Sequence, residues 1–262
     1  MVRPAMWYVR EMWRNPAFRS LQQFDRQLKR LPRFSASQVN FAGKNIRFCD
    51  GASFLSAWDE IFVNRIYDIG PLDYEPCLVD AGANIGLAAL YWKYRYGKFR
   101  YLGFEPDPVV SACCRQNLLG WGIEGELFEF ALGREEAIMD FAGDGADGGQ
   151  LVPVATSASI RVPVKKLSSR MPAVVDLLKI DVEGAEIDVL EDIASLLPRV
   201  RALFVEFHGL VGRTRLSHVI AILESAGFDC YPQVAAGPDR PFLSGASKAG
   251  FSQNLNLYAV RP

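Results

Sequence analysis

Residues 77–86, CLVDAGANIG, constrain the fold of this 262-residue chain more than any other stretch. Cys77, Leu78 and Val79 form a short apolar run, which predicts a buried parallel strand closed by Asp80. Gly82-Ala83-Asn84-Ile85-Gly86 predicts a tight turn, and Leu87 to Tyr94 a helix. Strand, glycine turn and helix make the opening unit of a doubly wound nucleotide-binding sheet. The glycines let backbone approach a ligand, and the helix start leaves N–H groups pointing at it.

The glycine spacing narrows the ligand. A dinucleotide fingerprint needs G-x-G-x-x-G, and here Asn84 and Leu87 take the second and third glycine positions. No G-x-x-x-x-G-K-[ST] occurs, so a P-loop is excluded. What remains is D-x-G-x-x-x-G with an acid at Asp80, which would repel a pyrophosphate and favour a ligand bearing an ammonium group. S-adenosylmethionine (SAM), with its amino acid moiety and sulfonium, is such a ligand. Alone, the turn is weak evidence, and a plain strand–helix connection is its alternative reading.

Half the residues are hydrophobic, enough for one large core. The net charge of −1 gives no overall field for nucleic acid, yet residues 1–33 carry +6 and the remainder −7. The five cysteines (49, 77, 113, 114 and 230) are odd in number and form no CxxC, which predicts reduced thiols and a cytoplasmic setting. With two histidines, a zinc site is not expected. No apolar run reaches membrane-spanning length, and the N-terminus lacks a signal-peptide core.

Periodicity predicts helix over 4–31, interrupted near Pro16, with a basic polar face and Trp7 and Trp13 on the apolar one. It reads as a cap or dimer helix, as a peripheral membrane contact over residues 1–33, or as a disordered segment. A hairpin around Gly43-Lys44-Asn45 and a helix over 53–67 complete an extension, 1–75, ahead of the main domain, 76–262. Further strands are expected at 77–80, 100–105, 125–131, 176–181, 202–207, 228–231 and 255–260, with short pieces at 151–155 and 159–164. Helices are expected at 86–95, from Pro108 to 119, from 182 to 196, and at 214–226. Residues 143–149 and 233–254 read as loops. The alternation predicts an α/β fold with a doubly wound, mostly parallel seven-stranded sheet and one antiparallel strand at the end.

Three predicted strand ends carry acids: Asp80, Glu105 and Asp181. Each alone could cap a helix, but together they line the carboxyl edge of the sheet, where such folds bind ligands. Glu105 lies 23 residues after Gly82, the distance for a carboxylate receiving two ribose hydroxyls. Glu206 and His208 share a strand face and would meet Asp181 and Glu183 if their strands are neighbours. His208 reads either as a general base or as a structural strand-end histidine. Asp181, Glu206 and His208 could also hold a divalent cation, though no metal is favoured. Lys179 in the fourth strand needs a carboxylate, with Asp181 the candidate. Glu183 and Glu186 also suit a helix start, where the dipole favours acids.

VDAGANIG, GFEPDP, LLKIDVEGAEIDVL and LFVEFH, in this order, resemble the FkbM-type family of SAM-dependent methyltransferases. The resemblance is specific over about 77–208 and slight over 1–50. It implies a class I methyltransferase (Rossmann-like) fold and methyl transfer to oxygen, often on a sugar, glycan or natural product. By position, Asp80, Gly82, Asn84 and Gly86 match the turn holding the methionine part of SAM, and Glu105 the ribose acid. Asp181 and Glu183 match the acidic pair beside the transferred methyl. The usual acid after the third strand is replaced by Phe130-Ala131-Leu132-Gly133, leaving adenine to the backbone near Ala131. His208 or Asp181 is then the expected base, oriented by Glu206 or Glu183. A non-catalytic SAM-binding scaffold is the alternative reading. The missing glycines argue against a nicotinamide enzyme. No nucleic-acid partner is expected, and a homodimer is compatible with the aromatic-rich N-terminus.

Overall fold

The structure is a computed structural model and describes residues 14–143, 148–152, 159–210, 215–236 and 251–262. Asn15 opens α1 (Pro16–Leu28): its side chain accepts from the Ala17 N–H at 3.0 Å, and Pro16 presets the first turn. The apolar face of α1, with Ala17, Phe18, Phe24 and Leu28, is buried in the chain's own core. Over this stretch only the polar, basic face is left to meet a membrane or a partner. Residues 1–13, including Trp7 and Trp13, lie outside the described residues.

The expected hairpin forms as β1 (Ser37–Phe41) and β2 (Lys44–Phe48). The expected 53–67 helix is instead α2 (Gly51–Trp58), continued by a π turn through Val63. Asp50 caps α2 by accepting from the Ser53 N–H, and also holds Arg33. Trp58 stacks on Phe62 at 4.0 Å and meets Phe24 and Phe41 edge-on, while its Nε1–H donates to the Ala17 carbonyl.

The main sheet has seven strands. They are β3 (Cys77–Ala81), β4 (Arg100–Phe104), β5 (Gly125–Phe128), β10 (Val175–Ile180), β11 (Val200–Leu210), β12 (Asp229–Ala236) and β13 (Phe251–Val260). Their order is β12-β13-β11-β10-β3-β4-β5, with β13 antiparallel to both neighbours and the other pairings parallel. The chain therefore leaves β3 toward β4 on one side and returns to β10 on the other, which opens a crevice at their carboxyl ends. Every residue of β3 and β10 is buried, as a sheet covered on both faces requires. Leu78 and Leu177 join one core with α3 (Leu87–Tyr96), α4 (Pro108–Trp121) and the N-terminal extension. Val79 and Leu178 join the other core, with α5 (Glu186–Ile193) and α6 (Leu216–Ser225).

Two expectations need correction. The predicted strand 125–131 splits, because the chain leaves the main sheet after Phe128 and re-enters a separate four-stranded sheet at β6 (Ala131–Leu132). That sheet also contains β7 (Ala137–Ala142), unpredicted, β8 (Gln150–Val152) and β9 (Ile160–Lys165), in the order β6-β9-β7-β8. Second, β11 and β13 are longer than expected. Their antiparallel pairing runs from Ala202–Val260 to Leu210–Phe251, so His208 sits inside a strand rather than past its end.

Candidate active site

Two strand ends touch at the crevice. Gly82 has φ +91°, and a Cβ there would lie 1.8 Å from the Asp181 carbonyl oxygen. Only glycine permits this approach. The Asp181 N–H donates to the Ala81 carbonyl at 2.9 Å, tying the end of β10 to the end of β3. The N–H groups of Gly82 and Ala83 both donate to the Phe104 carbonyl, which anchors the turn to β4. Asn84 and Gly86 also have positive φ, and α3 starts at Leu87.

Asp80 does not reach the crevice. It lies within β3, is wholly buried, and faces Lys179 across the β3–β10 register. Lys179 Nζ is 3.1 Å from Asp80 and 3.3 Å from Asp181, and also donates to the Gly82 carbonyl. Burial alone would lower the lysine pKa, but the two carboxylates raise it, so the ammonium persists. The Tyr101 hydroxyl donates to the other Asp80 oxygen at 3.2 Å. The ammonium expected from a ligand is therefore supplied by the chain itself, and Asp80 braces the turn from below.

Glu105, just past β4, borders a first cavity. Its two oxygens accept from the N–H groups of Asn84 and Asp107, both at 2.9 Å, which leaves a lone pair on each. Burial pushes its pKa up and those N–H donors pull it down, leaving it at about 7. Phe104, Val110, Phe130, Leu132 and Phe141 give this cavity apolar walls, and Ala131 lies among them. Gly82, Asn84, Asp181 and Glu183 close its inner side.

The same four residues border a second cavity of opposite character, with Glu60, Tyr67, Lys179, Glu206 and His208 on its lining. Its outer wall is the extension: Phe48, Asp50, Ser53, Phe54 and Ile61. Parallel pairing of β10 with β11 brings Asp181, Glu206 and His208 together, as their strand positions allowed. His208 is 2% exposed. Its Nδ1 is 3.0 Å from Glu186, and its Nε2 is 3.3 Å from Glu183 and 3.8 Å from Glu206. Burial would lower its pKa, but Glu186, Glu183 and Asp181 raise it to about 10. Enclosed by acids, this histidine holds its proton more tightly than a free imidazole, which favours the alternative reading of it as a strand-end histidine bonded to a carboxylate. Burial and like-charge crowding raise Glu183 and Glu206 to about 8.

Glu186 is the residue the sequence did not single out. It resembles an ordinary first-turn acid, yet it is wholly buried and accepts from the Gly184 N–H at 2.8 Å while holding His208. Its spacing of three from Glu183, beside a turn with Glu183 at φ +52°, is the local sign that both acids turn inward.

Comparison with known proteins places this architecture. The model of the methyltransferase FkbM domain matches residues 80–230. "Methyltransferase 1" of Beauveria bassiana is 34% identical over 158 residues, covering 50% of this chain and 64% of that protein. The "31-O-demethyl-FK506 methyltransferase FkbM" of Streptomyces tacrolimicus is 29% identical over 216 residues, covering 68% and 82%. The crystal structure of methyltransferase FkbM from Methylobacillus flagellatus superposes with a TM-score of 0.50 at 14% identity, covering 97% of this chain and 60% of that one. This chain thus spans less than two thirds of the first relative and of that solved structure, and the likeness to the latter is one of fold. The match over more than half the sequence, with the VDAGANIG turn and the KIDVEGAE stretch inside it, makes the chain a member of the FkbM methyltransferase family.

Proposed function

We propose that this chain is a SAM-dependent O-methyltransferase acting on a hydroxyl of a sugar, glycan or natural product. The observation that carries the reading is the pair of cavities with a common wall at Gly82, Asn84, Asp181 and Glu183. One cavity suits a nucleoside and the other a polar acceptor, and the shared wall is where a transferred group would cross. The strand order, with β13 antiparallel near one edge, is that expected of a class I methyltransferase sheet.

The first cavity fits the cofactor by the chemistry of its donors. Glu105 has lone pairs for two ribose hydroxyls, the aromatic walls suit a purine ring, and Ala131 offers backbone to the adenine edge. Gly82, Asn84 and Gly86 provide the turn against which the methionine portion would lie. When bound there, SAM supplies a methyl group already activated by its sulfonium. The chain must then align an acceptor oxygen and receive its proton. Glu183 borders both cavities with its side chain 22% exposed, and we assign it that proton; Asp181 orients the acceptor from the shared wall. The Streptomyces relative is named as a methyltransferase of 31-O-demethyl-FK506, which supports oxygen as the nucleophile here.

Incubation with radiolabelled SAM and a panel of polyhydroxylated acceptors tests the reading, with calorimetry of SAM binding alongside. Label transfer that Glu183→Gln reduces at least a hundredfold, with SAM affinity preserved, is the expected result. Binding without transfer to any acceptor would favour the scaffold reading, and absence of SAM binding would remove both.

A further inference from the structure

We propose that Cys49 and Cys113 are a reversible disulfide site that ties the N-terminal extension to α4. The pairing follows from a register between β2 and α4. The Trp121 indole N–H donates to the Asn45 carbonyl at 3.1 Å. One helix turn earlier, Asn117 brackets Arg47, accepting from its N–H at 2.8 Å and donating to its carbonyl at 2.9 Å. Residues 121 and 117 of the helix thus meet residues 45 and 47 of the strand, running antiparallel. Four helix residues advance about 6 Å and two strand residues about 6.6 Å, so the steps stay matched. The next pair in this series is Cys113 with Cys49, and the Cys113 thiol donates to the Cys49 sulfur.

Both are free thiols. Cys49 is 8% exposed but borders the second cavity, and Cys113 is half-buried, so a small reagent has access from the cavity and from the surface. Donation from Cys113 holds the Cys49 pKa below the ordinary thiol value, and the same contact, together with burial, raises that of Cys113. Cys49 is therefore the sulfur that attacks and Cys113 the one that resolves. Cys114, next in sequence, points elsewhere: a Cβ added to Gly86 would sit 2.9 Å from its sulfur. Wholly buried against that turn, it is not placed to substitute for Cys113.

The oxidant is a low-molecular-weight disulfide. The Cys49 thiolate attacks one of its sulfurs, forms a mixed disulfide and expels a first small thiolate, which takes up the Cys49 proton. The Cys113 sulfur then attacks that of Cys49, its proton going to the second small thiolate as it leaves. The chain loses two hydrogens and the reagent becomes two thiols, so atoms and electrons balance. The bond joins the segment that carries Phe48 and Asp50, in the outer wall of the second cavity, to the helix packed against the Gly86 turn. It also closes a long loop and so removes freedom from the unfolded chain.

Treatment of the full, folded chain with hydroxyethyl disulfide, followed by alkylation of the remaining thiols under denaturing conditions and peptide mapping by mass, tests the pair. We expect a 49–113 cross-link, alkylation of Cys77, Cys114 and Cys230, and reversal by dithiothreitol. The oxidised chain should melt several degrees higher, a rise absent from Cys49→Ser and Cys113→Ser treated alike. Circular dichroism of the untreated variants establishes that they fold, and if neither does, the wild-type peptide map decides by itself. No cross-link, a link through Cys114 or Cys77 instead, or a 49–113 link that forms as readily in urea as in the folded chain overturns the site. The assay uses neither SAM nor methyl transfer, so its outcome is independent of the proposed function.

Discussion

The two cavities share four residues and are otherwise opposites. The first has phenylalanine walls and, beyond the shared acids, Asp107 and Glu105, the latter with both oxygens already aimed by backbone N–H groups. The second packs Asp181, Glu183, Glu206 and Glu60 around one histidine and one lysine, and closes with a wall from outside the family-matched segment. The first is preorganised by backbone, so its shape is fixed before a ligand arrives. The second is held by ion pairs among side chains, Lys179 with Asp181 and His208 with Glu183 and Glu186. Under the proposed function, cofactor and acceptor recognition fall to parts of the chain under different physical control.

Gly82→Ala should break both cavities at once. A Cβ 1.8 Å from the Asp181 carbonyl, on a residue at φ +91°, forces the strand ends apart and should cost more than about 4 kcal/mol. Urea unfolding would show it, and no SAM binding should survive. Lys179→Met leaves Asp80 buried without an ammonium and should cost about 3 kcal/mol. Adding Asp80→Asn should recover much of that loss, since the uncompensated charge disappears; a double variant as unstable as the sum of the two singles would contradict the pairing.

Glu105→Gln should touch only the first cavity. Weakening the ribose contacts should lower SAM affinity by about 1–2 kcal/mol, or roughly tenfold, in a calorimetric titration. The carboxyl is held at about 7, above its unfolded value. Hydroxyl donors favour its ionised form, so SAM binding releases a proton below that pH. Affinity should therefore rise as pH increases to about 7 and then level off, and Glu105→Gln should flatten the profile. For stability the sign is opposite. The folded state binds more protons between about 4.5 and 7, so this group's contribution falls as pH rises through that window and is constant above it. Asp50→Asn should have the smallest effect, about 1 kcal/mol through the weakened α2 cap. It should raise KM for the acceptor while leaving SAM affinity alone, because Asp50 lines only the second cavity.

The first cavity was the more legible from sequence. Its determinants are local: an apolar strand, glycines in a turn, and an acid one strand later at a fixed distance. The partner of Asp80 was less so. Lys179 was expected to meet Asp181, and it does, but register across β3 and β10 also sets it opposite Asp80, about a hundred residues away in the chain. Glu186 was read as helix-start chemistry because its first-turn position explains it fully; its burial depends on His208, 22 residues on and in another strand. Strand β7 escaped because Glu135, Glu136 and Asp140 obscure a run whose inward residue is Phe141. Local patterns reveal where the chain turns, whereas the charge state of a buried cluster depends on contacts that only the assembled sheet creates.

Trp58 lends its indole N–H to Ala17 and its faces to Phe24, Phe41 and Phe62, and this aromatic knot merges with the core under α3 and α4. The outer wall of the second cavity thus has no seam along which it could be exchanged. Grafting another relative's specificity onto this chain by swapping the 48–61 segment alone would strand half of the knot. A workable chimera would carry the whole run from Asn15 to Tyr67, together with the α3 residues Tyr91 and Trp92 that the knot rests on. Recombination with a crossover in the stretch before β3 should therefore succeed only where the other parent already supplies Tyr91 and Trp92 in α3.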